Sequence, residues 1–401
     1  MSDFAKFDSW LNSDSAAAIV IREPLVPVEG PDGVIFPATY AAAEDKKVFP
    51  GGYNIDPPEG DKNVCLIDSV GSQANRIEPI FSKPEYDGLV PQINVLAGEK
   101  SVSILEAGHR AGDALVRCTG LQKILQDAFK SVLKGDAVPM AKVAPTSLVF
   151  GVWDSRDTQA KLPRLVSSTI RAFDVQRLRR SAQFNPATEY INDKLLDETS
   201  DKATKDSYAE RGFIHVPATG SHGGVIAKGG IKRDATLSLA ALRLLSAGNK
   251  SPEDTLKLRR YILGLSLVAF TATASTYLRQ GTNLVLDVDH PRSMTVVNSD
   301  GTRTALNLSH ADAINFAKTA AKAFGIGANQ EVAFDKDLAK KDISGEGDTK
   351  GTAKAKAKKA AKASADSTSG TTATAEAAAI NNIAPIKAGA DSSLGNTEPT
   401  E

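Results

Sequence analysis

The chain has 401 residues and sets 48 Lys and Arg against 48 Asp and Glu, so its formal net charge is zero. Its 41% hydrophobic content is enough for a globular core, and 24% charged residues is ordinary for a soluble protein. Length alone corresponds to two or three domains' worth of chain. Two distant cysteines, Cys65 and Cys118, exclude a disulfide scaffold and offer no metal-binding spacing. They fit a reducing, cytoplasmic compartment. The N-terminus, MSDFAKFDSW, has no basic region leading into an apolar one, so no secretory signal is expected.

In chain order, Asn63–Ile67 reads as a short buried strand, followed by a helix from Asp68. On that helix Val70, Ala74, Ile77 and Phe81 form an apolar stripe. Ser69, Ser72, Gln73 and Arg76 fall opposite. Hydroxyls, an amide and one guanidinium without an acid suit phosphate oxygens and a ribose 2′-OH. A plain solvated face behind an Asp/Ser cap fits equally well. Gln92–Ala97 and Ser101–Glu106 predict a hairpin, after which His109 and Arg110 sit between two glycines as a weak feature.

Ser147–Trp153 reads as a strand whose last residue is either core or a stacking surface. Pro163 to about Ser181 predicts a helix that buries Leu162, Leu165, Val166, Ile170 and Phe173 along one side. Lys161, Arg164, Ser168, Arg171 and Arg179 share the other side. Between 161 and 180 there are six basic residues and one acid, Asp174. This is a basic stripe in a neutral chain, and its phosphate contacts would be salt-dependent.

Asn185–Glu210 is polar and reads as an insertion. Next, five glycines fall between 220 and 230, interleaved with Lys228, Lys232 and Arg233. With a helix expected over Asp234–Ala247, this looks like an anion cradle at a helix N-terminus; a flexible loop without ligand is the alternative. It is neither a Walker A loop nor a Rossmann fingerprint. Pro252–Leu278 predicts a helix whose uncharged part, from Tyr261, reads as core rather than a membrane span. A strand over Asn283–Val288, a hairpin over 294–308 and a helix over His310–Phe324 complete the ordered part. Strands mixed with helices and hairpins argue for an α+β fold. One domain over 1–341 is expected, then a disordered tail over 342–401 with a Lys-rich run at 350–362 that is either solvated or a polyanion tether.

Catalytic signals are sparse. The five histidines are scattered, and no carboxylate cluster has metal spacing. Asp68, Asp154, Asp157 and Asp234 each sit beside a basic element, as a general base or as an ordinary cap or ion-pair partner.

Three segments together resemble the backbone subunit of a CRISPR Cascade complex, and more narrowly the type I-G (formerly I-U) Cas-seven-type proteins of the RAMP superfamily. They are Leu66–Phe81, the Trp153-Asp-Ser-Arg-Asp-Thr-Gln-Ala-Lys segment, and the stretch from His215 through Gly230-Ile-Lys-Arg-Asp-Ala-Thr. The resemblance covers about residues 15–325 and leaves out the tail. It implies a hand-shaped fold: a ferredoxin-like, RRM-related palm, finger insertions and a thumb hairpin, for which 92–106, 211–232 and 294–308 are candidates. It implies copies stacked head to tail along guide RNA, target DNA recognised through guide pairing, a large subunit, a guide-processing end-capping subunit, and a recruited nuclease-helicase. No catalysis, cofactor or metal is expected of this subunit. Ser69, Ser72, Gln73 and Arg76 would hold RNA backbone at the first helix. Arg156, Gln159, Lys161, Arg164 and Arg171 would form a basic wall, and Ser221, His222, Lys228, Lys232 and Arg233 a clamp. Phosphate, 2′-OH and shape readout suits a guide of variable sequence, and 6% aromatic residues argue against a stacking-dominated binder. The rivals are a metal-dependent ribonuclease using Asp68, Asp154 or Asp234, and a phosphate-ligand enzyme built on the glycine-rich loop.

Overall fold

Residues 5–59, 62–273 and 275–344 are described in the computed structural model. The strands needed below are β1 (Ala16–Pro27), β2 (Ile55–Glu59), β3 (Lys62–Asp68), β4 (Ile93–Ala97), β5 (Lys100–Ser103), β6 (Val152–Trp153), β7 (Lys161–Leu162), β8 (Val166–Phe173), β9 (Val175–Phe184), β10 (Val216–Ala227), β11 (Ile231–Ser238), β12 (Tyr277–Arg279), β13 (Thr282–Leu286), β14 (Ser293–Asn298), β15 (Arg303–Ala305) and β16 (Gln330–Ala333). The helices needed below are α1 (Ala5–Asn12), α2 (Val70–Ile77), α3 (Gln122–Leu133), α4 (Thr146–Phe150), α5 (Lys202–Glu210), α6 (Pro252–Thr271), α7 (His310–Phe324) and α8 (Lys336–Ser344).

Nine strands form one antiparallel sheet in the order β12-β13-β1-β11-β8-β3-β2, with β14 also on β1 and β15 on β14. Its centre, β14-β1-β11-β8, has helices α2 to α4 between β1 and β8 and α6 between β11 and β14. That is the 4-1-3-2 order of a ferredoxin-like sheet, so the α+β palm expected from sequence is present. Alternation decides the faces. On β11, Ile231, Arg233, Ala235 and Leu237 are buried, while Lys232, Asp234, Thr236 and Ser238 are only half covered.

The buried face carries Ile19, Ile21, Val166, Ala235 and Leu237 into the main core. Opposite them is α6, whose residues from Tyr261 to Thr271 are all buried. The uncharged run is therefore core as far as Thr271, where the helix ends instead of at the expected Leu278; Tyr277 beyond it is exposed in β12. Among the described residues no helix is long and apolar enough to cross a membrane. Helix α7 lies along α6, closely enough that a Cβ at Gly264 would stand 2.8 Å from Ala317 Cα. The α7 bounds match the expected ones because a Ser309–Asp312 capping box starts it and left-handed Gly325 ends it.

Several expectations are corrected. Pro163–Ser181 is not a helix but strands β8 and β9, turning at Asp174 (φ 48°). The apolar spacing there also fits a period of two once Ser168 and Ala172 are counted as small inward-facing residues. Ser147–Trp153 is mostly helix α4, with only two strand residues. Asp234–Ala247 begins as β11 and turns helical at Leu239. Residues 216–227 are a strand, not a loop, and pair with β9.

Strands β9 and β10 prolong the central β8–β11 pair beyond the sheet as a two-stranded ribbon with the 185–215 insertion at its tip. The other thumb candidates lie within the body: β4 pairs with β5 and β16 over buried Ile93 and Val95, and β14 pairs with β1. Helix α8 runs to Ser344 and its Asp342 meets Arg117 at 2.6 Å, past the expected tail start at 342. The rest of the expected tail, with its Lys-rich run, lies outside the described residues.

His310, at the start of α7, bonds Tyr86 Oη through Nε2 and Thr271 Oγ1 through Nδ1, both at 2.8 Å. Burial first, then the Arg292 charge, holds its pKa below 6.5. A depressed histidine pKa stabilises the fold at neutral pH, and that contribution is lost as pH falls through the folded value. Urea midpoints should therefore fall below about pH 6.5, and His310→Gln should flatten that fall; an unchanged slope would show that His310 is not the group responsible.

Candidate nucleic-acid interface

The face of the sheet away from α6 is polar. On it Arg171 of β8 stands directly opposite Lys232 of β11, in the same row as Pro24 of β1. Like charges placed directly opposite are destabilising. Neither cation forms an ion pair among the described residues. Arg171 donates from Nη1 to Thr169 Oγ1 at 2.7 Å, and Lys232 Nζ lies 5.4 Å from the Phe173 ring centroid. The neighbouring row holds Thr169, Asp234 and Arg22, the last two joined at 3.2 Å.

At the ribbon end of this face lies a cleft of about 880 Å³ whose lining includes Lys228 and Lys232 together with Asp32, Asp287, Asp289 and His290. More cations lie on the ribbon, where Arg177 and Arg179 share the face of Val225 and His222 rather than the open face. Arg177, Arg179 and Arg180 on β9 are exposed, as is His222 on β10, which packs on Tyr53 at 4.9 Å between centroids. Ser221 donates to the Arg180 carbonyl at 3.0 Å. Sequence reasoning counted the three arginines in the basic stripe but not as contacts; the missed signal was a strand rich in arginine with no acid facing it.

The bend between sheet and ribbon needs glycine. A Cβ at Gly229 would meet Asp174 Oδ2 at 2.8 Å and Phe173 Cβ at 2.9 Å. The expected anion cradle is not formed. The N–H groups of Lys228, Gly229 and Gly230 bond the carbonyls of Asp174, Phe173 and Ala227, and a strand follows instead of a helix.

Three expected contacts are structural. Arg233, 1% exposed, is locked in an ion pair with Glu23 beneath the sheet, and Arg292 approaches the same carboxylate at 3.7 Å. Strand alternation puts Arg233 in the core although its neighbour Lys232 is on the open face. Gln73 is buried, donating to Asp68 Oδ2 at 2.6 Å and accepting from Ser168 Oγ at 2.9 Å. Arg76 binds Asp68 Oδ2 at 3.1 Å and the Leu278 carbonyl at 2.7 Å. Ser69 is the N-cap, accepting from Ser72 N–H at 3.2 Å, and both serines are half-buried. The α2 face therefore braces the sheet edge. Arg110, flagged with His109, is a buried strut 2.6 Å from Glu78. Burial pushes the Glu78 carboxyl up to about 7, with Arg110 opposing.

Arg156, Gln159, Lys161 and Arg164 form a separate exposed group before β8, opposite in strand direction to the ribbon. Gln159 turns its amide onto the Ser155 carbonyl at 2.5 Å. Asp68 and Asp154 are buried within hydrogen bonds, and Asp234 holds Arg22. Among the described residues no three His, Cys, Asp or Glu side chains converge as a metal site. Cys65 and Cys118 are free and buried.

Residues 19–177 match the model of the family described as CRISPR-associated protein GSU0053. This segment, from β1 into β9, is thus similar to a CRISPR-associated protein family, which indicates a CRISPR-associated role in antiviral defence. No curated protein matches the chain.

Adjacent residues should respond oppositely to substitution. Lys232→Gln removes a like-charge contact and should leave stability unchanged or raise it by up to about 1 kcal/mol. Arg233→Ala leaves the Glu23 charge buried and should cost about 3–5 kcal/mol. Urea unfolding of both variants checks this, and equal losses would contradict the placement of Lys232 on the open face.

Proposed function

We propose that this chain is a guide-RNA-binding backbone subunit of a type I-G Cascade complex, a Cas-seven-type member of the RAMP superfamily. Copies line up head to tail along one guide, and the complex recognises target DNA by guide pairing. The observation that carries the reading is the Arg171–Lys232 pair on the open ferredoxin-like face, with Lys228 lining the same cleft as Lys232 and three exposed arginines on the adjoining ribbon. A cation pair set against its own repulsion is explained by an anion that bridges it. Phosphates spaced along a polynucleotide supply such anions without base readout, which suits a guide whose sequence varies.

Binding rather than cleavage is the proposed chemistry, since Asp68 and Asp154 are buried and Asp234 is ion-paired with Arg22. The nucleotide-enzyme rival loses its basis, because the glycine-rich segment has no free N–H cradle at Lys228–Gly230. The other Cascade subunits and the nuclease-helicase are the proposed partners, in the cytoplasm.

Expressed with a CRISPR array, the protein should purify with guide RNA of uniform length in a high-mass assembly. Arg171→Gln with Lys232→Gln should weaken RNA binding and lower the slope of log K against log salt by about 1.4, about 0.7 for each phosphate contact on a single strand. Unchanged affinity and slope in a folded double variant would refute the reading.

A further inference from the structure

Trp153 is not core: it is 59% exposed in β6, directly across from Lys161 of β7. Lys161 Nζ stands 6.0 Å from its ring centroid, and the side chains of Arg156 and Arg164 are exposed in the same short segment. Large exposed aromatic rings normally acquire a cover, and none is provided here by the chain's own described residues.

The platform is rigid. Asp154, 3% exposed, gathers the following loop by accepting from the N–H groups of Arg156, Asp157 and Thr158 at 3.4, 3.2 and 2.9 Å, and from Thr158 Oγ1 at 2.6 Å. Its own N–H closes the loop on the Ala160 carbonyl at 2.9 Å. The backbone behind Trp153 is seated on Gly112, where a Cβ would stand 3.3 Å from the Trp153 carbonyl oxygen. The one exposed acid of the loop, Asp157, is engaged by Gln126 at 2.9 Å.

We propose that Trp153 stacks one unpaired nucleobase of a single-stranded RNA, with Lys161, Arg156 and Arg164 holding the flanking phosphates. This rests on the RNA-binding reading above and adds a second contact region, one β8 length, about 26 Å, from the ribbon bend. A π-face accepts any base, so the contact keeps sequence tolerance while fixing one nucleotide in place. The cations around the ring select a polyanion over an apolar protein segment.

The chain has two tryptophans, and Trp10 is packed against Phe7 in the core. The full chain labelled with 5-fluorotryptophan therefore offers two fluorine resonances, assigned by Trp153→Phe. Titration with an unstructured single-stranded RNA should move the Trp153 resonance. Trp153→Ala should weaken binding about 5- to 150-fold with an unchanged salt slope, whereas Trp153→Phe should stay within a few-fold. Lys161→Ala should lower the slope by about 0.7. RNA binding with the Trp153 resonance unmoved and Trp153→Ala affinity intact overturns the stacking contact and leaves the RNA reading standing. Assembly size that changes in Trp153→Ala without any RNA effect overturns it in favour of a protein contact. Absence of RNA binding by the wild-type chain, both when expressed with a CRISPR array and when titrated with single-stranded RNA, overturns both.

Discussion

The ion pair between Glu23 and Arg233 sits under the middle of the sheet, where β1 and β11 pair residue for residue. Both groups are nearly inaccessible, so each needs the other to offset its desolvation. A slip of one residue on either strand would turn one charge to the open face and strand the other in the core. The same register puts Lys232 opposite Arg171 and Asp234 beside Arg22. The polar surface on one side of the sheet is thus determined by a salt bridge on the other.

Strands β8 and β11 continue as β9 and β10 after a bend that only glycine fits at 229. Asp174 takes a left-handed backbone there, and its carbonyl accepts the Lys228 N–H at 3.3 Å. The bend interrupts the alternation, so Ala172 and Val175 are both buried, and Arg177 and Arg179 share the ribbon face of Val225 and His222 rather than the open face of Arg171 and Lys232. Tyr53 anchors the ribbon base by accepting the Gly224 N–H at 3.0 Å.

Two sets of basic residues differ sharply in burial. Arg233, Arg110 and Arg117 are buried and each meets a carboxylate. Arg171, Lys228, Lys232, Arg177, Arg179 and Arg180 are at least partly exposed and meet none among the described residues. The first kind specifies the fold. The second kind works against it slightly, through like-charge repulsion, and fits an external polyanion. A net charge of zero hides this division, because the acids are spent on the buried arginines, on caps and on exposed surface elsewhere.

Much of the scaffold was legible locally. The α7 helix, the β4–β5 hairpin, β3 with α2 and the α+β class follow from capping residues, turn residues and periodicity, which act over a few positions. The basic character of 161–180 and the chemistry of Lys228 and Lys232 were legible too. What neighbours in sequence could not reveal was the partner across the sheet. The 163–181 segment satisfies a helical period as well as a strand period, and pairing with β3 and β11 settles it. Arg233 and Lys232 look alike in sequence, and only alternation on a covered sheet sends one inward to Glu23 and leaves the other outside. Gln73 and Arg76 read as an open polar face until Asp68, Ser168 and the Leu278 carbonyl arrive to consume them. Composition and spacing thus determined that the chain carries a core and a cationic stretch. Long-range strand pairing, which brings residues two hundred positions apart into contact, decided which of those cations face solvent.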